Sequence, residues 1–172
     1  EEIDKISGAV RLQAKQLGYG YIGINAGIVK NINVRRAIMS AMDTSLALTF
    51  YTTGTCDQIF WPMSNVSDAY PKDKPANSAY IGSSGFSIDS DVVNENSYIT
   101  FDGDAAAEKK IKYYTQKAIE EDGVTQDQLK ITFTIAGSSI TEHPTFMVFN
   151  HAMELLNKYS DLGWKIEVKA DT

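Results

Sequence analysis

The fold of this chain is decided by residues 130–169, which read KITFTIAGSSITEHPTFMVFNHAMELLNKYSDLGWKIEVK. The stretch opens with β-branched and aromatic residues over Lys130–Ala136, which is typical of a strand. A helix is predicted from around Thr141, with Pro144 in its first turn and with apolar residues in two adjacent rows at helical spacing. The rows are Phe149-Met153-Leu156 and Val148-Ala152-Leu155-Tyr159. Gly163 ends this helix, and Trp164–Lys169 forms a second strand. Strand, helix and strand at this spacing predict a βαβ unit with parallel strands and a right-handed crossover.

Upstream of this unit, a second helix is predicted after Asp102-Gly103-Asp104. Its apolar residues recur at i, i+4, i+7 and i+11, and Gly123 stands where the helix should end. These apolar residues are Ala107, Ile111, Tyr114 and Ala118. The basic cluster Lys109-Lys110 with Lys112 lies among acidic residues on this helix, so we interpret it as a solvated helix face.

The first part of the chain predicts two neighbouring strands and a helix. Val10, Leu12 and Ala14 alternate with polar residues, and Tyr19–Asn25 is rich in aromatic and β-branched residues. Asn33 is then expected to cap a helix, and Asp43 to cap a second short one that runs to Gly54. The apolar stripe of the first helix is Val34, Ala37, Ile38, Ala41 and Met42, with Arg35 and Arg36 on the opposite face.

Residues 55–100 carry no clear periodicity. Three of the four prolines lie in this stretch, at Pro62, Pro71 and Pro75, among many small polar residues. A segment of this length without elements of its own is uncommon inside a compact domain and usually has a function. Phe60 and Trp61 indicate that it packs against the rest of the chain.

Size and charge narrow the class of protein. With 172 residues, 43% of them hydrophobic, the chain suits one globular domain, 1–172. A net charge of −6 and a pI near 4.9 make nucleic acid an unfavourable partner. No apolar run approaches the roughly 18 residues of a membrane span. The acidic start Glu1-Glu2 is unlike a secretory leader, so an exported parent protein is expected to have lost its leader before this point.

The sequence contains no convincing motif for catalysis, metal binding or cofactor binding. His143 and His151 lie eight residues apart with no metal-binding pattern between them, and both are interpreted as structural. Gly18, Gly20 and Gly23 spell a dinucleotide-type glycine pattern without the required strand-to-helix turn. Cys56 is interpreted as a small buried hydrophobic residue. The sequence therefore predicts no catalytic residue, no metal site and no cofactor.

Polar residues at strand ends are the best binding candidates. Ligands of open α/β sheets collect beyond the carboxyl ends of the strands. Asn25 ends one expected strand, and Gly137-Ser138-Ser139 follows another at the start of a helix. Ser139 and Glu142 also have the spacing of a capping box, so the two serines could cap the helix, bind a ligand, or do both. We take Asn25, Ser138, Ser139 and Trp61 as candidate ligand-binding residues.

Three blocks of this sequence resemble a known family. The blocks are the strand Tyr21–Asn25 followed by Asn33-Val34-Arg35-Arg36-Ala37-Ile38 and Ala41-Met42-Asp43, the Phe101-Asp102 start of a helix that ends at Gly123, and Leu162–Val168 at the end. Their order and spacing are similar to the extracellular solute-binding proteins of bacterial ABC importers, in the oligopeptide-, dipeptide- and nickel-binding class (family 5). The chain departs from that pattern in lacking the proline before the first helix and in having Gly103 where the family has proline. Residues 55–100 are not recognisable.

The resemblance implies a specific architecture. The chain would be an α/β lobe of the periplasmic-binding-protein type II kind, with a mixed sheet, a βαβ unit flanked by helices, and a long irregular insertion at about 55–100. It would form most of the second lobe of a two-lobed protein that closes on its ligand by hinge bending, and would stop before the strand that returns to the first lobe.

The resemblance also implies a function and its partners. Peptide or another small solute would be the ligand, and the first lobe of the same protein and the membrane permease of the importer would be the partners. The protein would be extracellular, as a membrane-anchored lipoprotein or in the periplasm. The isolated lobe should bind its ligand weakly or not at all. Two other functions remain open: a small α/β hydrolase that uses Ser138 or Ser139, with a histidine beside it, and a protein-interaction module with an exposed apolar patch around Phe60 and Trp61.

Overall fold

The computed structural model describes residues 5–10, 12, 14, 17–51, 55–71 and 101–171. Within these residues the helices and strands are α1 (Ile32–Ser40), α2 (Asp104–Glu120), β1 (Lys130–Ala136), α3 (Thr145–Asn157) and β2 (Lys165–Asp171). Short 3-10 helices lie between them at Thr44–Phe50, Gln126–Leu129, Ile140–Glu142 and Ser160–Leu162. The chain therefore has a general α/β fold.

The predicted βαβ unit is confirmed. β1 and β2 pair in parallel, with Phe133 opposite Val168, and α3 joins them and packs against both. β1 begins and ends at the residues that the pattern predicts. Along β1, Phe133 and Ile135 are buried while Thr132 and Thr134 are exposed, so the sheet has one apolar face toward the core and one polar face toward solvent.

The buried face of α3 is also as predicted, but the helix begins later than expected. Val148, Ala152 and Leu155 are buried in the row that faces the core. The expected start near Thr141 is wrong, because Ile140–Glu142 forms a separate 3-10 turn and α3 starts at Thr145. Pro144 disfavours helical backbone at the residue before it, and His143 is indeed extended, with φ −100° and ψ 136°.

α2 buries the four apolar residues that its spacing predicts. Ala107, Ile111, Tyr114 and Ala118 are all inaccessible to solvent. Gly123 follows the helix with φ 68°, a conformation that favours glycine. The interpretation of the lysines as a solvated face is wrong for Lys110, which is fully buried and bound to Asp102 with Nζ 2.8 Å from the carboxylate.

α1 packs against α2 through the predicted stripe, whose residues are all buried. Its N-cap is Asn31, not Asn33, because the Asn31 Oδ1 accepts the Val34 N–H at 3.0 Å. Asp43 caps the next helix as predicted, through the Ser45 N–H. That element is a 3-10 helix and ends at Phe50, before the expected Gly54.

The strands expected between Gly8 and Asn25 are not found among the described residues there. Val10 and Leu12 are 80% and 89% exposed. Ile22 and Ile24 contact the core from an extended segment, but no strand pairs with it. Alternating residues can favour an extended backbone, yet a strand also needs a neighbour for its hydrogen bonds. The sheet in the described part of the chain is therefore two-stranded and parallel, not mixed, and Asn25 does not end a core strand.

The start of the irregular stretch is ordered without helix or strand. Residues 55–71 form turns and bends, in which the Phe60 N–H donates to the Tyr70 hydroxyl at 2.9 Å. Phe60 and Trp61 are both half-buried, so they pack down as expected. The remaining part of the predicted irregular region, 72–100, lies outside the described residues.

A buried hydrogen bond connects Trp164, the residue before β2, to α2 inside the core. The Trp164 ring is buried, and its Nε1–H donates to the Thr115 hydroxyl at 2.9 Å. Thr115 in turn donates to the Ile111 carbonyl at 2.6 Å. This chain of donors satisfies both polar groups inside the core. No helix in the described part of the chain has the length and apolar character that a membrane crossing requires.

Candidate functional site

The parallel strands bring two polar chain segments to one edge of the sheet. β1 ends at Ala136 and β2 at Asp171, opposite each other in the ladder. The Gly137 N–H donates to the Asp171 carbonyl at 3.3 Å, which carries the pairing one residue past β1. Gly137 then turns the chain with φ 101°, a value that a side chain would strain. Ser138 and Ser139 follow this turn.

Both serines are exposed, and neither caps a helix. Ser139 occupies the N-cap position of the 3-10 turn, but its side chain makes no capping hydrogen bond. The Glu142 N–H bonds to the Ser139 backbone carbonyl at 3.1 Å. The predicted capping box is therefore wrong, because the turn is only three residues long and α3 starts beyond Pro144. The hydroxyls are left at the strand-end rim, where a ligand can reach them.

Asn25 lies at the start of the loop that leads to α1. Its Oδ1 accepts the Gly27 N–H at 2.9 Å, and its carbonyl accepts the N–H groups of Ile28 and Val29. The side-chain oxygen thus builds a local turn. The residue itself is exposed. A ligand could still use the amide nitrogen or the second lone pair of the oxygen.

Trp61 is half-buried in the irregular stretch 55–71, and its carbonyl accepts the Met63 N–H at 2.7 Å. No exposed apolar patch surrounds it in that stretch, since neither Trp61 nor Phe60 is among the exposed large hydrophobic residues. The structure does not place Trp61 and the serines in a common cavity among the described residues.

The two histidines have separate local partners. The His143 Nδ1 accepts the Thr145 N–H at 3.1 Å, in the turn before α3. The His151 Nε2 lies 3.0 Å from the Asp104 carboxylate at the start of α2, and its ring packs edge-on against Phe101. Neither histidine is hydrogen-bonded to Ser138 or Ser139 within the described residues. This geometry gives no support to a serine hydrolase.

A groove that the sequence analysis missed lies beside α1. Its volume is about 260 Å³, and it is lined by Ile24, Ile32, Arg35, Arg36 and Met39. The four α1 residues are spaced i, i+3, i+4 and i+7, so they form a second stripe on the helix face opposite the core. That spacing was the signal available in the sequence. The apolar stripe of α1 predicts only that Arg35 and Arg36 lie on the opposite face of the helix.

Arg35 is held in this groove by the loop before α1. Its Nη1 donates to the carbonyls of Val29 and Lys30, at 2.8 and 2.7 Å. The Arg36 Nη1 donates to the Asn33 side chain at 3.2 Å. The groove therefore combines two guanidinium groups with apolar side chains, which suits an anionic group attached to an apolar body.

The surroundings of Lys110 and Asp122 shift the pKa values of these two residues. Burial lowers the pKa of Lys110, although the hydrogen bond and the charge of Asp102 act in the opposite direction. Side-chain amides of Asn31 and then Asn33 lower the pKa of Asp122 by donating to its carboxylate, each at 2.9 Å. Both arrangements connect parts of the scaffold. No group of three or more His, Cys, Asp or Glu side chains in the described ranges could hold a metal ion.

No family model, no curated protein and no solved structure matches this chain. The site is therefore argued from its own geometry. It consists of the strand-end rim, with Ser138 and Ser139, and the groove beside α1, which begins at the residue before Asn25.

Proposed function

We propose that this chain is the ligand-binding second lobe of a two-lobed solute-binding protein that serves an ABC importer, with peptide as the solute. Its partners would be the first lobe of the same protein and the membrane permease. The binding protein itself would lie outside the cell membrane. The fold would be a lobe of the periplasmic-binding-protein type II kind. The lobe would not be an enzyme, and would close on its ligand with the first lobe by hinge bending.

The observation that carries this proposal is the strand-end rim. β1 and β2 run in parallel, so their carboxyl ends meet at one edge of the sheet. Ser138 and Ser139 stand there with exposed hydroxyls that do not cap the following helix. Hydroxyl groups both donate and accept, which fits the alternating N–H and C=O groups of a peptide backbone.

The exposure of the serines indicates that this chain supplies only one of the two surfaces of a ligand-binding site. The described cavity does not include the serines, and their hydroxyls are exposed on one edge of the sheet. Small ligands bound tightly by proteins are usually buried over most of their surface. A rim of this kind therefore needs a second surface opposite it, which the first lobe would supply.

The test is an NMR titration of this chain with tripeptides and pentapeptides. We expect a Kd of about 1 mM, equivalent to roughly 4 kcal/mol. The amide signals of Ser138 and Ser139, with that of Asn25, should shift, and the Ser138→Ala/Ser139→Ala variant should lose those shifts. Ser160→Ala is the matched control, because Ser160 is an exposed serine at the start of another 3-10 turn.

Two outcomes would count against the proposal. Micromolar affinity of this chain alone would mean that the site is complete without a first lobe. Shifts at about 10 mM peptide, roughly ten times the expected Kd, that fall on other residues and spare the rim would mean that the rim does not meet peptide.

A further inference from the structure

The segment Tyr19–Asn25 runs along the core without forming a helix or a strand in the described part of the chain. From Tyr21 to Asn25 the residues alternate between exposed and half-buried, with Ile22 and Ile24 turned to the core. Between Tyr19 and Ile24 no backbone group bonds to the backbone of another described residue. Backbone N–H and C=O groups in such a row are a template for an added strand.

Within the described residues, one face of this segment is uncovered. An added Cβ at Gly20 would meet nothing within 4 Å, and one at Gly23 would meet only the Tyr21 ring, at 3.8 Å. Tyr21 itself is 85% exposed. Side chains of an added strand would therefore meet no described residue on this face, while its backbone would lie roughly 4.8 Å away in the hydrogen-bonding direction.

The groove beside α1 adjoins this segment, because Ile24 belongs to both. Its apolar part is formed by Ile24, Ile32 and Met39, and Ile32 is 50% exposed. A side chain from an added strand would find apolar contacts there. The alternation of a strand would send every second side chain toward the groove.

Arg35 adds charge selectivity. Two hydrogen bonds from Nη1 to the Val29 and Lys30 carbonyls fix the guanidinium group. Its other three N–H donors have no partner among the described residues, and a guanidinium group binds a carboxylate with two parallel hydrogen bonds. The chain has a net charge of −6, so an acidic partner is attracted to this local positive charge more than to the rest of the surface.

We propose that the groove between Tyr19–Asn25 and α1 docks an acidic, extended segment of a partner protein, which adds to Tyr19–Asn25 as a β-strand and places a carboxylate on Arg35. This interaction goes beyond the proposed solute binding, because it shares only Asn25 with it and uses none of Ser138, Ser139 and Trp61. The row of backbone donors and acceptors favours a strand over an anionic membrane surface, since only a strand matches that row with hydrogen bonds of its own.

The experiment uses synthetic peptides as probes. A short acetylated and amidated peptide of alternating Val and Thr with a central Glu is titrated into the chain. Two versions serve as comparisons, one with Lys in place of Glu and one with N-methyl groups on alternate backbone nitrogens. The readouts are fluorescence anisotropy for affinity and NMR shifts for location.

We expect the Glu peptide to shift the amides of Tyr19–Asn25 and the Arg35 side chain. The Lys peptide should bind at least about tenfold more weakly, because it loses the charge-assisted contact with Arg35. The N-methylated peptide should be weakened by a similar factor, because it loses the strand hydrogen bonds. Arg35→Gln should weaken the Glu peptide similarly and remove the preference for Glu over Lys. Lys112→Gln, on the exposed side of α2, is the matched control and should change neither affinity.

The inference is overturned if the Glu peptide fails to bind, binds no better than the Lys peptide, or shifts residues elsewhere. It is also overturned if phosphatidylserine vesicles bind the chain in an Arg35-dependent way while the peptide does not. Should Arg35→Gln fail to fold, as judged by far-UV circular dichroism, the three peptides decide the question on the unaltered chain.

Discussion

At the scale of single residues, Asn31 and Asn33 each use both ends of a carboxamide group. The Asn31 oxygen caps α1 at Val34, and its nitrogen donates to Asp122. The Asn33 nitrogen donates to the same carboxylate oxygen, and its oxygen accepts from Arg36. The pair therefore ties the start of α1 to the residues after α2.

This contact predicts a pH dependence of stability. The pKa of Asp122 is lowered in the folded chain, first by Asn31 and then by Asn33. The stabilisation is present above the unfolded-state value of 3.8 and is lost as the pH falls through the lower folded-state pKa. Asp122→Ala should lower the free energy of unfolding at pH 7, and the difference from the unaltered chain should shrink once the pH falls below 3.8. Urea titrations from neutral pH to pH 2 measure this.

Glu120→Ala is the control for that experiment. Glu120 is an exposed acid at the end of α2. Its removal should leave the pH profile close to that of the unaltered chain. A constant difference between Asp122→Ala and the unaltered chain at every pH would show that ionisation of Asp122 is not involved.

Thr115 carries a second prediction at this scale. Thr115→Val keeps the shape of the side chain but leaves the buried Trp164 N–H without its acceptor. We expect a loss of about 1–3 kcal/mol in the free energy of unfolding, measured by urea denaturation. Thr132→Val, on the exposed face of β1, should cost little. Equal effects of the two substitutions would contradict the role of the buried hydrogen bond.

At the scale of elements, the junction between α3 and β2 depends on a close approach. Gly163 has φ 111°, and an added Cβ would lie 2.8 Å from the Gln126 side chain and 2.9 Å from its Cα. Gly163 therefore lets β2 begin directly against the 3-10 helix Gln126–Leu129 that precedes β1. The glycine was predicted as the end of the helix, but the contact with Gln126 is not visible in the sequence.

Two of the glycines with positive φ, Gly123 and Gly163, allow this close approach to be tested. Gly123→Ala meets open space, so we expect only the backbone cost of roughly 1–2 kcal/mol. Gly163→Ala carries a larger backbone cost, because φ 111° lies outside the left-handed region open to L-residues, and it adds a steric clash, so its loss of unfolding free energy should be clearly larger. Thermal denaturation of both variants makes the comparison. Similar losses would mean that the Gln126 contact relaxes freely.

At the scale of the whole molecule, backbone amides are expected to differ in how strongly they are protected from exchange with solvent. The core joins α1 to α2 and the sheet to α3, with α2 also in contact with α3. Tyr19–Ile24 lies beside this core without backbone hydrogen bonds to other described residues. The proposed strand docking depends on whether the backbone of this segment is accessible to a partner strand. The resemblance depends on the same segment, because Tyr21–Asn25 belongs to one of its matching blocks.

Hydrogen exchange tests this unevenness. Amides of Tyr19–Ile24 should exchange within seconds to minutes at neutral pH, at nearly unprotected rates, while those around Ile111 in α2 and Leu155 in α3 should be protected by several orders of magnitude. Mass spectrometry of the exchanged chain gives both values. Protection of Tyr19–Ile24 at the level of α3 would mean that the segment is a paired strand, and the docking proposal would lose its basis.

The sequence by itself determined α2, α3, β1, β2 and the parallel pairing of the two strands. Periodicity reports which residues of one element share a face, and this information is local. Only tertiary contacts show that Asn31 and not Asn33 caps α1, that Lys110 is buried on Asp102, that Ser139 caps nothing, and that Tyr19–Ile24 lacks a backbone partner within the described residues. Both asparagines bond to Asp122, far along the chain, and the burial of Lys110 depends on how the elements pack. A pattern along one segment carries no record of its neighbours in space.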